Sequence, residues 1–167
     1  MSELANMMIN LTFLDVCKGI EGLCADMYHY YSRIYEDNPE ASELWKKTAL
    51  EEENHQLQFG LAMRLLYETE FEVMKDSLKH AKSIENSLQK FMEHIKAHKP
   101  DLLTAVSQAV EMEEKIAGLH VHTALTFRDG SVKRLFTALS DADHEHVAAL
   151  QRYRTILSLP NSEMVAH

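Results

Sequence analysis

Proline occurs only three times in 167 residues, at Pro39, Pro100 and Pro160. Proline removes a backbone donor and stops helices, so its spacing leaves long stretches free to be helical. Asp37-Asn38-Pro39-Glu40 reads as a stop, then an N-cap, then a proline in the first turn of a new helix. Lys99-Pro100-Asp101 repeats that punctuation, and Leu159-Pro160-Asn161 closes the last helix. Arg128-Asp129-Gly130-Ser131 reads as a turn whose glycine can take a left-handed conformation.

Between these marks the apolar residues recur at three- and four-residue steps. Leu14, Cys17, Glu21, Cys24, Tyr28 and Tyr31 form one such series. Trp45, Thr48, Glu52, His55, Phe59 and Leu66 form a second, and Leu135, Leu139, His146, Leu150 and Leu157 a third. No segment alternates strictly, so strands are not expected. The periodicity predicts helices over about 11–36, 40–70, 101–128 and 131–158, with a more polar one over about 72–98. Two hairpins joined by that crossover make an all-α, ferritin-like four-helix bundle. One domain occupies 1–167, with the bundle over about 11–158.

Composition narrows the function. The formal charge is −9, from 26 acidic and 17 basic residues. Nucleic-acid binding needs clustered Lys and Arg, so it is not expected. No apolar run reaches the roughly 20 residues of a membrane span, and no basic segment precedes an apolar one at the N-terminus. Cys17 and Cys24, two turns apart on one helix, lie about 10 Å apart and cannot bridge. A reducing cytoplasmic setting follows as the expectation.

The unusual feature is acid and imidazole on faces that should be apolar. Glu52 and His55 form a Glu-x-x-His pair, and Asp143 and His146 repeat it with aspartate. Residues three apart share a helix face. Glu21 interrupts the apolar stripe of the first helix, and Glu111 and Glu114 lie three apart on the fourth helical segment. Glu21 precedes Glu52 by 31 residues and Glu114 precedes Asp143 by 29. Each half thus offers a lone glutamate and a carboxylate-x-x-His pair. Four buried carboxylates require cations, and two divalent ions would neutralise them. If Glu111 also ligates, the count is −5 and favours a more oxidised pair. Carboxylates with imidazoles suit iron, with manganese the alternative; no thiolate set points to structural zinc. Glu51, Glu53 and Glu113 read as rotated toward solvent, with Glu113 the main competitor for the position given to Glu114.

The motifs Ile20-Glu21 with Tyr28 downstream, Glu52-Glu53-Asn54-His55, Glu111-Met112-Glu113-Glu114 and Asp143-His144-Glu145-His146 occur in an order and spacing that resembles the ferritin-like di-iron carboxylate proteins. Within them the chain resembles the erythrin domain of rubrerythrins, from about Leu11 to Leu157. The resemblance implies two iron ions held by Glu21, Glu52, His55, Glu111, Glu114, Asp143 and His146. It makes Glu21, Glu52, Glu114 and Asp143 the carboxylates that shift during turnover. It implies reduction of hydrogen peroxide, with dioxygen and ferrous iron as the substrates of a ferroxidase or iron-storage alternative. A non-catalytic metal-binding bundle is a further alternative. Rubrerythrins usually carry a Cys-x-x-Cys rubredoxin domain; this chain has none, so an external electron-donor protein is expected. Asp143 is one methylene shorter than the usual glutamate, which bears on its ability to bridge. A homodimer is expected by analogy, with Trp45, Tyr30, Tyr31 and Tyr35 as candidate contacts.

Overall fold

The computed structural model describes residues 3–65, 75–126 and 130–159, and all of its regular structure there is helical. Five helices follow in order: α1 (Glu3–Ile34), α2 (Pro39–Leu65), α3 (Lys75–Ala97), α4 (Leu102–Thr126) and α5 (Gly130–Ser158). Among the described residues there is no strand, and no helix is long and apolar enough to cross a membrane. The expected 66–70 end of α2 lies outside the described residues.

The helix starts follow the capping chemistry read from the sequence. Asn38 Oδ1 accepts the Ala41 amide at 3.0 Å, and Pro39 opens α2 where its missing N–H leaves nothing unpaired. Asp101 does the same for α4, accepting the Thr104 amide at 2.9 Å and its hydroxyl at 2.6 Å. These bonds hold the Asp101 carboxyl below its usual range. The turn before α5 departs from expectation. Gly130 is the first residue of α5, and no described glycine has a positive φ. Gly130 itself is helical rather than left-handed, and Arg128 and Asp129 lie outside the described residues.

α1 begins eight residues before the expected start at 11. Leu4 and Met8 are exposed there, so that turn shows no apolar stripe to reveal it. α1 packs along α2 and α4 along α5, forming two hairpins. The two hairpins meet α2 to α5 only lightly, and α3 lies mainly against α1. Ser77, Ala81, Ile84, Leu88, Met92 and Ile95 form its buried stripe, opposite a charged face.

Each bundle helix carries one buried series at alternating three- and four-residue steps. In α1 it is Leu14, Cys17, Glu21, Cys24, Tyr28, Tyr31; in α4 it is Val106, Val110, Glu113, Ala117, His120, Ala124. In α2 it runs Trp45, Thr48, Glu52, His55, Phe59, and in α5 Phe136, Leu139, Asp143, His146, Leu150. Such a repeat keeps one seam facing inward in near-antiparallel helix packing. Polar groups occupy its middle and aromatic layers its ends. Phe13, Phe59 and Phe136 close one end, with Phe59 and Phe136 edge to face at 5.5 Å. Trp45, Tyr28 and Tyr31 close the other. Trp45 and Tyr31 are fully buried within the chain, and Tyr35 nearly so. They are core residues here, which corrects their assignment as dimer contacts.

Asn38→Ala removes the α2 cap and is expected to lower stability by about 1 kcal/mol, whereas Asn38→Asp keeps the acceptor and stays near wild type. Thermal unfolding of the two variants checks the assignment.

Candidate metal centre

Four carboxylates and three imidazoles converge at mid-bundle: Glu21 from α1, Glu52 and His55 from α2, Glu113 and His120 from α4, Asp143 and His146 from α5. Each is buried, none more than 6 % exposed. Two groups of three have ligand atoms close enough to share an ion, Glu21–Glu52–His55 and Glu52–Glu113–His146. Glu52 belongs to both. These buried clusters could hold a metal ion.

The contacts inside the cluster are close yet poorly satisfied. His55 Nδ1 lies 3.1 Å from Glu52 Oε2 and 3.4 Å from Glu21 Oε2. His146 Nδ1 lies 2.9 Å from Glu52 Oε1 and 3.9 Å from Glu113 Oε2. Yet Glu21 Oε1 and Oε2, Glu52 Oε1, Asp143 Oδ1, His120 Nε2 and His146 Nδ1 are buried without a hydrogen-bond partner. An unpaired buried polar atom costs about 1–3 kcal/mol, more when charged. His55 donates to Glu52 Oε2, but the carboxylate oxygens left without a donor crowd together, which fits a shared cation, and the carboxylate–imidazole set suits iron or manganese.

Outer contacts orient these ligands. His146 donates Nε2–H to Glu51 Oε2 at 2.8 Å, which fixes the tautomer and leaves Nδ1 facing Glu52. Glu51 is part-exposed, so sequence reasoning placed it in solvent; its bond crosses from α2 to α5. On the far side Tyr28 donates its hydroxyl to Glu113. His120 reaches Asp143 Oδ2 from Nδ1 at 2.6 Å and Glu21 Oε1 from Nε2 at 3.3 Å. The two halves mirror each other: Tyr28 follows Glu21 by seven residues and His120 follows Glu113 by seven. Each contacts the lone glutamate of the opposite hairpin.

Of the residues expected from sequence, Glu21, Glu52, His55, Asp143 and His146 are brought together. Asp143 sits at the edge, tied to His120 and outside both three-residue groups. Glu111 and Glu114 are not in the cluster. Both are exposed, and Glu114 accepts only a 3.3 Å bond from Gln151. Glu113 takes the interior place. The correction follows from helix phase, because Glu113 falls on the Val106–Val110–Ala117–His120 seam and its neighbours do not. His120 went unnoticed in sequence; its position on that same seam is the signal that marks it.

Protonation shows how the cluster is neutralised without a cation. Burial disfavours the imidazolium of His55, but Glu21 and Glu52 reverse this and raise it to about 10. His120 rises to about 10 against the same burial through Asp143 and Glu21, and His146 to about 11 through Glu113 and Glu52. Burial, then the Glu52 charge, pushes Glu113 up. Burial would also raise Glu21, but His120 and His55 hold it below its usual value. With a proton on Glu113, three imidazoliums balance the three remaining carboxylates, and cations held by His55, His146 and Glu113 could displace about three of these protons. Burial, then neighbouring carboxylates, keeps both cysteine thiols protonated.

No family model, curated protein or solved structure matches the chain.

Histidines whose folded pKa is raised stabilise the fold fully below about pH 6.5, and that stability is lost as pH rises toward about 10. The raised Glu113 acts in the same sense; the lowered Glu21 opposes it only in acid. Chelator-treated protein is therefore expected to lose melting temperature between pH 7 and about 10. Saturation with divalent metal is expected to flatten that loss. Loading is expected to release about three protons per chain near neutral pH, readable with an indicator dye. In isothermal titration with Mn²⁺, Glu113→Gln is expected to abolish one binding event while Glu111→Gln and Glu114→Gln leave both. Glu51→Ala is expected to weaken binding about 10–100-fold through His146.

Proposed function

We propose that the chain is a rubrerythrin-like, ferritin-like di-iron oxidoreductase that reduces hydrogen peroxide with electrons from an external donor. The observation that carries the reading is the pair of buried Glu/His groups sharing Glu52, with a carboxylate fixing the His146 tautomer from outside. The two-hairpin, all-helical architecture supports it.

Glu21 and His55 would hold one ion, Glu113 and His146 the other, and Glu52 would lie between them. When bound, the iron pair supplies Lewis acidity and redox equivalents. The protein does the rest. Phe59 and Phe136 flank His120 at 5.9 and 5.8 Å and keep bulk water from that end of the cluster. A cavity of about 380 Å³ between α2 and α5 has His55 and His146 in its lining, with Leu44, Ala142 and Ala149. Its volume would accommodate a small molecule such as peroxide on the imidazole side of the cluster. Peroxide reduction to two waters consumes two protons. The Tyr28 hydroxyl on Glu113 and the His120 imidazole on Asp143 are the buried proton carriers nearest the carboxylates.

The test mixes anaerobic, ferrous-loaded protein with peroxide. One peroxide is expected to be consumed per two ferrous ions, far faster than oxidation by air, and Glu52→Ala is expected to abolish it. Faster oxidation by dioxygen than by peroxide would favour a ferroxidase. Iron that loads but ignores both oxidants would contradict the redox reading.

A further inference from the structure

The aromatic layer between the cluster and the α1–α2 turn is continuous. Tyr28, bonded to Glu113, stacks on Trp45 with centroids 5.5 Å apart and planes 11° apart. Trp45 meets Tyr31 at 5.1 Å. Tyr31 meets Tyr30 at 6.1 Å and Tyr35 at 6.0 Å. The two outer tyrosines are anchored to the α3–α4 connection side: Tyr30 donates to Ile95 O at 3.1 Å and Tyr35 to Pro100 O at 2.7 Å. Lys99 Nζ lies 5.5 Å over the Tyr35 ring. Tyr30 is only part-buried, so the series runs from a cluster carboxylate to the end face of the bundle.

Packing alone does not account for these residue types. Buried Tyr and Trp ordinarily find a partner for their polar atom. Trp45 Nε1 and Tyr31 Oη are buried with none. Phenylalanine would fill the space without that desolvation loss, and an unsatisfied buried group asks for an explanation such as a redox role. What the five rings share, and phenylalanine lacks, is the ability to give up one electron.

We propose that Tyr28, Trp45 and Tyr31, with Tyr30 and Tyr35 as termini, form an electron conduit between the carboxylate cluster and the end face of the bundle. The proposal rests on the redox reading above for its oxidant, and takes a one-electron metalloprotein or flavoprotein as reductant. Tyr28 gives one electron to the oxidised group that Glu113 holds, and its hydroxyl proton moves to Glu113. Trp45 returns an electron to Tyr28, and the proton comes back from Glu113 with it. The Trp45 radical cation has no acceptor for its N–H proton, so it keeps that proton and draws an electron from Tyr30 across Tyr31; the hydroxyl proton of the part-buried Tyr30 passes to solvent and returns when the reductant refills the ring. The docked reductant refills that outer ring. In sum the reductant loses one electron, the oxidant gains one, and no covalent bond is changed.

Trp45 is the only tryptophan, so its radical has one source. Full-length protein, freed of metal with chelator, is oxidised by azide radical in pulse radiolysis, and the tryptophan and tyrosyl radical absorptions are followed. The Trp45 radical is expected to decay at a rate independent of protein concentration, matched by growth of a tyrosyl signal. In Tyr28→Phe/Tyr31→Phe that transfer is expected to slow by at least an order of magnitude. Tyr31→Phe alone is expected to leave thermal stability unchanged or improved, since the lost hydroxyl has no partner, so the variant reports on transfer and not on folding. A Trp45 radical that decays only by bimolecular reaction, or at the same rate in the double variant, overturns the conduit. Because this readout needs no metal, its failure is separate from failure of the redox reading, which shows as no iron uptake or no peroxide consumption.

Discussion

Four carboxylates at the centre of a bundle repel one another and have left water behind. An ionised carboxylate buried without compensation loses several kcal/mol, and four in mutual range lose more. Compensation comes from positive charge at the same place, as protons on imidazoles or as metal ions. Here His55, His120 and His146 are interleaved with Glu21, Glu52, Glu113 and Asp143 so that every carboxylate has an imidazole within reach. The rest of the molecule is arranged around that balance. Long apolar helices build the walls, aromatic layers close both ends, and α3 covers α1.

The two hairpins solve the same problem twice, with different residues. A lone glutamate, a carboxylate-x-x-His pair and a hydrogen-bonding ring seven residues after the glutamate occur in each half. Tyrosine is that ring in the first half and histidine in the second. The substitution changes the chemistry on one side only. Tyr28 donates a single bond to Glu113, whereas His120 spans Glu21 and Asp143. The shorter Asp143 is thereby drawn to His120, and Glu52 alone is common to both groups of ligands. Two cations held by these groups would therefore sit in unequal positions.

Much of this was legible in the sequence, for identifiable reasons. Proline placement and capping residues set the helix starts at Pro39 and Leu102 because those signals are local. Glu52, His55, Asp143 and His146 were recoverable because a three-residue step fixes a shared face whatever the surroundings. The fourth helical segment was harder. Glu111, Glu113 and Glu114 are chemically equivalent, and the Glu111/Glu114 spacing pointed to the wrong face. Only the phase set by Val106, Val110, Ala117 and Ala124 selects Glu113, and small residues mark a buried seam weakly. His120 and Glu51 were illegible for another reason. Their roles lie in contacts to α1 and α5, and no local pattern encodes a partner on another helix.

We propose that the cluster holds two cations. The most direct test is metal analysis of the protein as purified, followed by anaerobic titration of chelator-treated protein with ferrous iron. The account predicts two iron or manganese ions per chain, bound in two steps of different affinity and lost in Glu52→Ala. A protein that purifies without metal and takes up no ferrous iron would contradict it, and would leave the imidazole protons as the only charges that balance the buried carboxylates.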